Sequence, residues 1–129
     1  MCGTIDYLPP EMIDKKPYNH KVDTWCVGVL CYELLAGSPP FEDEDTNVTY
    51  RKIAAVKYEF RPNMSPLVRD LLNNLLVYNP DRRYEGSQVM KHTWCVKNAR
   101  PRAFRNGAYI GYRDLVTGEI VREFYNPLQ

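Results

Sequence analysis

Among the residue types that could do chemistry is Glu33, a carboxylate set inside the apolar run 22–36. An acid at the end of a buried helix is partly desolvated, and its charge-assisted bonding to a guanidinium is strong there. Taken by themselves, the residues favour a plainer role, a structural bond from Glu33 to Tyr7 or to backbone. The other reactive types point away from catalysis. Cys2, Cys26, Cys31 and Cys95 form no Cys-x-x-Cys pair, and His20 and His92 are far apart, which argues against zinc, and no metal ligand set is expected. The cysteines read as reduced thiols of an intracellular protein, and Cys26 and Cys31 as small hydrophobes within a helix. No Gly-x-Gly-x-x-Gly is present to cradle phosphates, because the seven glycines are scattered.

A chain of 129 residues suffices for one domain. Its 17 basic and 16 acidic residues nearly cancel, which gives no general case for nucleic acid or an anionic membrane as partner. The apolar run is broken by Gly28 and Glu33 and falls short of the roughly 20 residues that a membrane span needs. No basic segment leads into an apolar one at the N-terminus, so no secretory signal is expected.

The elements that must position Glu33 follow from pattern. Residues 1–20 are rich in Pro, Gly and Asp and read as irregular, with a short helical turn beginning near Met12 and Ile13. Residues 21–36 read as a helix without a polar face, which belongs inside a protein. Gly37 suits its C-terminal cap, and Pro39-Pro40 cannot continue it. The acidic run Glu42-Asp43-Glu44-Asp45 favours the start of a helix over 46–55. Ser65-Pro66 opens another helix, with Val68, Leu71, Leu72, Leu75 and Leu76 as its apolar stripe. A last short helix is predicted over 86–92, weakened by Gly86, with Trp94 packing just after it. Residues 98–129 change character. Arg100, Arg102 and Arg105 sit close together, and two β-rich stretches flank Thr117-Gly118 as a hairpin would.

Several separated motifs then agree in order and spacing. They are Cys2-Gly3-Thr4, Pro10-Glu11, Asp23-Thr24-Trp25-Cys26-Val27-Gly28, Gly37-Ser38-Pro39-Pro40-Phe41, Pro80-Asp81-Arg82-Arg83 and His92-Thr93-Trp94. In this register, residues 2–96 resemble the second half of the large lobe of a Ser/Thr protein kinase, from the end of the activation segment onward. Asp6-Tyr7-Leu8-Pro9-Pro10-Glu11-Met12-Ile13 and Gly28-Val29-Leu30-Cys31-Tyr32-Glu33-Leu34-Leu35 are most similar to Aurora kinases. Residues 98–129 do not resemble the Aurora tail. The resemblance implies a mainly α fold and a partial kinase large lobe over 1–97, which leaves 98–129 as an extension, read as a hairpin or as weakly ordered.

It also implies roles. Gly3, Thr4, Ile5, Tyr7, Leu8 and Glu33 would receive a substrate peptide. Thr4 resembles the threonine that contacts the catalytic loop, and Ile5 and Leu8 would line the pocket for the residue after the phosphoacceptor. Glu33, supported by the Tyr7 hydroxyl, would pair with a substrate arginine. Glu11 would pair with Arg83. Asp23 would hold catalytic-loop backbone, a partner without a counterpart in this sequence, and Trp25 would be core. By the same resemblance, a complete family member uses ATP and Mg²⁺ on Ser/Thr near basic residues, in the nucleus, cytoplasm, centrosome or spindle.

The family's Gly-rich loop, strand lysine, His-Arg-Asp and Asp-Phe-Gly all precede the residue matched by Cys2, and none occurs in this sequence. The chain as written is therefore expected to bind neither ATP nor Mg²⁺. Two further readings stand beside that of a kinase part. One is a non-catalytic module for basic peptides or for a kinase partner, and the other is a truncated product without function. The helix over 21–36 is expected to leave apolar surface uncovered.

Overall fold

The computed structural model describes residues 5–98, 109–113 and 120–124. These fall into two compact units divided after Gly86. The first begins with a 3-10 turn, Ile5–Tyr7, and continues through α1 (Pro10–Ile13), α2 (Lys21–Ala36), α3 (Thr46–Ala55), α4 (Pro66–Leu75) and a 3-10 turn at Pro80–Arg82.

Local chemistry sets most of these ends. Proline at the first position of α1 and of α4 lacks the N–H that a helix start would leave unpaired. The Ser65 hydroxyl accepts from the Val68 N–H, and the Asp45 carboxylate accepts from the Asn47 N–H, each capping a helix start. Helix α2 stops at Gly37, whose φ of 86° is left-handed and whose N–H reaches the Glu33 carbonyl. Helix α3 ends the same way on a residue less suited to it. Val56 takes φ 50°, and the Lys57 N–H closes the turn on the Lys52 carbonyl at 2.8 Å.

The core of this unit lies between α2 and α4. Trp25, Val29 and Tyr32 from α2 are buried with Val68, Leu71, Leu72 and Leu75 from α4, and Phe41, Ile53 and Met64 close it. Trp25 stacks on Phe41 with ring centroids 5.6 Å apart. Tyr58 meets Phe41, Tyr32 and Phe60 edge-on. Burial, and then the neighbouring Tyr32, push the Tyr58 hydroxyl up to about 12.

Gly28 is where the two helices touch most closely. A Cβ at that position would sit 2.9 Å from the Leu75 Cβ and 3.0 Å from a Leu76 methyl. The Leu75 Cβ is fixed to its backbone, so the helices would have to part. Gly28→Ala gains helix propensity of about 1 kcal/mol at most, but overpacking costs about 1–3 kcal/mol. Urea denaturation should show a net loss of up to about 2 kcal/mol. A higher unfolding midpoint in the variant would contradict the close approach.

The second unit contains α5 (Gly86–Lys91) from its second residue onward, α6 (Thr93–Asn98) and two strands, β1 (Tyr109–Arg113) and β2 (Ile120–Phe124). The strands pair antiparallel, with Tyr109 opposite Phe124 and Arg113 opposite Ile120. Thr117-Gly118 and the arginines at 100, 102 and 105 lie outside the described residues. Trp94 does not merely follow a helix; it lies within α6. The break falls at His92, whose Nδ1 accepts from the Trp94 N–H at 3.1 Å and so starts a new helix.

Candidate functional site

The 3-10 turn Ile5–Tyr7 lies against α2, and two side-chain bonds join them. The Tyr7 hydroxyl donates to Glu33 Oε2, bringing together residues 26 apart in sequence. The Cys26 thiol donates to the Tyr7 carbonyl at 3.6 Å. Burial, then the nearby Asp23 carboxylate, push the Cys26 thiol up, so it packs as a thiol and is not poised as a thiolate nucleophile. Ile5, Tyr7, Leu8 and Glu33 are all half-buried. A carboxylate offers about four lone-pair sites, and the Tyr7 bond occupies one. The rest of Glu33 remains able to accept from a guanidinium. Gly3 and Thr4 lie outside the described residues.

A second constellation fastens this segment to the end of the unit. Glu11 and Arg83, 72 positions apart, form a two-pronged pair at 2.6 and 2.7 Å. Both are buried, at 4% and 2% exposure. Arg83 uses its whole donor set: Nε bonds the Val77 carbonyl, Nη1 also reaches the Lys21 carbonyl, and Nη2 also reaches the Tyr78 carbonyl. Its guanidinium lies 4.9 Å from the Trp25 ring centre. Trp25 is therefore held between Arg83 and Phe41, and its Nε1 has no hydrogen-bond partner among the described residues. Asp23 is exposed in the first turn of α2.

Sequence reasoning passed over Lys21. Its ammonium is buried and donates to the carbonyls of Pro80 at 3.1 Å and Arg83 at 2.9 Å, with Glu85 Oε1 at 3.4 Å. The bond from His20, above all, holds the Glu85 carboxyl below the usual carboxylate range. A lysine at a helix start reads as a surface residue, so only its position against the macrodipole could have marked it.

Among the described residues, no cluster of three or more His, Cys, Asp or Glu could hold a metal ion. No described helix is long and apolar enough to cross a membrane.

The protein kinase domain family matches residues 1–95. Aurora kinase C of Mus musculus is 52% identical over 100 residues, covering 78% of this chain and 36% of the relative. Aurora kinase A-B of Xenopus laevis is 47% identical over 100 residues, 78% of this chain and 24% of the relative. An Aurora kinase of Schizosaccharomyces pombe is 49% identical over 98 residues, 75% of this chain and 28% of the relative. The chain thus spans between about a quarter and about a third of the length of these relatives. With a mainly helical fold from Pro10 onward and these matches, the chain belongs to the protein kinase family and is part of an Aurora-like Ser/Thr kinase.

Proposed function

We propose that this chain supplies the peptide-receiving surface of an Aurora-like Ser/Thr protein kinase. In complete form such a protein transfers the γ-phosphate of ATP to Ser or Thr near basic residues, inside the cell. The observation that carries this reading is the Tyr7–Glu33 bond, which ties a half-buried carboxylate to the segment that carries Ile5 and Leu8. Glu33 accepts a substrate arginine, and Tyr7 fixes the carboxylate's orientation. Ile5 and Leu8 take the apolar residue after the phosphoacceptor, and Thr4 contacts the catalytic loop. ATP and Mg²⁺ belong to parts of the family domain that this sequence does not contain. The Glu11–Arg83 pair holds the peptide-receiving segment against the helices.

A second reading uses the same contact without phosphoryl transfer. Accepting a guanidinium on Glu33 needs no nucleotide, so the surface also suits a non-catalytic module for basic peptides. Both readings require the same binding event, which fluorescence anisotropy with a labelled arginine-containing peptide measures. Glu33→Gln keeps the Tyr7 bond and removes the charge, and it is expected to weaken binding about tenfold or more. An unchanged thermal melt would show that the fold is intact. If the wild-type chain fails to bind, both peptide readings fall.

A further inference from the structure

The buried Lys21 ammonium donates to the Pro80 and Arg83 carbonyls and forms an ion pair with Glu85 Oε1 at 3.4 Å. It stands in the first turn of α2, where the helix macrodipole disfavours a cation. Burial disfavours it as well. A charge held against both effects is fixed by its partners, and one of those partnerships is reciprocal. Lys21 Nζ donates to the Arg83 carbonyl at 2.9 Å, while Arg83 Nη1 donates to the Lys21 carbonyl at 3.2 Å. The same guanidinium nitrogen bonds Glu11 Oε2 at 2.6 Å. Lys21 therefore touches both ends of Arg83, its backbone and its fork.

We propose that Lys21 is a positioning residue for the peptide-receiving segment. It tethers the backbone from Pro80 to Arg83 to the start of α2, so that the Arg83 fork meets Glu11 squarely. Glu11 then anchors α1, and with it the preceding residues from Ile5 to Leu8. Two cations and two carboxylates make the group electrically balanced: Arg83 faces Glu11, and Lys21 faces Glu85. The proposal rests on the peptide-receiving reading of Tyr7 and Glu33, but one arm of its test does not.

The test uses the full chain with Lys21→Met, which keeps the apolar stem and removes the donors, and Lys21→Arg, which keeps donors. Amide exchange is read over residues 79–85 and 10–16, with Leu71 and Leu72 reporting an intact core. Lys21→Met is expected to speed exchange in both segments about tenfold and to weaken an arginine-containing peptide by a similar factor, while the core amides stay protected. Lys21→Arg is expected to restore most of both. Faster exchange confined to 79–85 would overturn the proposal, because the effect would not have reached Glu11. So would equal behaviour of the two variants. If the wild-type chain binds no such peptide, the Glu33 reading fails on its own, and exchange over 10–16 still decides the role of Lys21.

Discussion

Replacing Arg83 with alanine is expected to lower the unfolding free energy of this chain by about 3–5 kcal/mol, because one side of a buried ion pair is removed while the other stays buried. The loss extends beyond Glu11. The carbonyls of Val77, Tyr78 and Lys21 each lose a donor from the same guanidinium, and Trp25 loses the cation over its ring. Small domains hold only about 5–15 kcal/mol in total, so Arg83→Ala should come close to abolishing the cooperative transition. Arg83→Lys should fare little better. A single ammonium cannot reproduce a planar fork that meets two carboxylate oxygens and three carbonyls. Glu11→Met should cost a similar amount, since it leaves a buried guanidinium without its counter-ion. The double variant Glu11→Met with Arg83→Met is expected to recover part of the loss, because an apolar pair of similar volume avoids the desolvation of two charges. Urea denaturation of wild type, Glu11→Met, Arg83→Met and the double variant closes the cycle. An Arg83→Ala variant within about 1 kcal/mol of wild type would show that the pair is not the anchor its geometry implies.

How much of this was legible depends on how far apart the cooperating residues lie. Gly37, Asp45 and Ser65-Pro66 act within one helical turn, so their sequence positions gave the ends of α2, α3 and α4 directly. Val56 was harder, because the end of α3 takes a left-handed φ on a β-branched residue that carries no such signal. The split between α5 and α6 depends on which atom the His92 ring offers to a backbone N–H, and periodicity does not report that. The site contacts are of another kind. Tyr7 with Glu33 and Glu11 with Arg83 span 26 and 72 positions, and no local pattern couples such residues. Their pairing entered through the motif register, and the structure brings the same residues together. Lys21 belonged to no motif. Its importance arises only from a chain reversal that brings Pro80 and Arg83 to the start of α2.

The apolar face of α2 leads to the second large effect. Val27, Leu30 and Leu34 follow helical spacing along one face and are 44%, 46% and 76% exposed. The opposite side of the same helix is sealed by Trp25, Val29 and Tyr32. Full burial of one leucine side chain is worth about 1.5–3 kcal/mol, so a stripe of this kind carries a strong drive to be covered. The chain is therefore expected to self-associate with rising concentration in size-exclusion chromatography with light scattering. The double variant Leu30→Gln with Leu34→Lys should shift it towards monomer. A lysine in the last turn of α2 also complements the helix macrodipole, so this substitution is not expected to weaken the helix. Because neither side chain contributes to the core between α2 and α4, the urea midpoint of the monomeric variant should lie at or above that of wild type. A wild-type chain that stays monomeric across the whole concentration range would sink this prediction. A variant that unfolds would show that Leu30 and Leu34 hold contacts their exposure does not reveal.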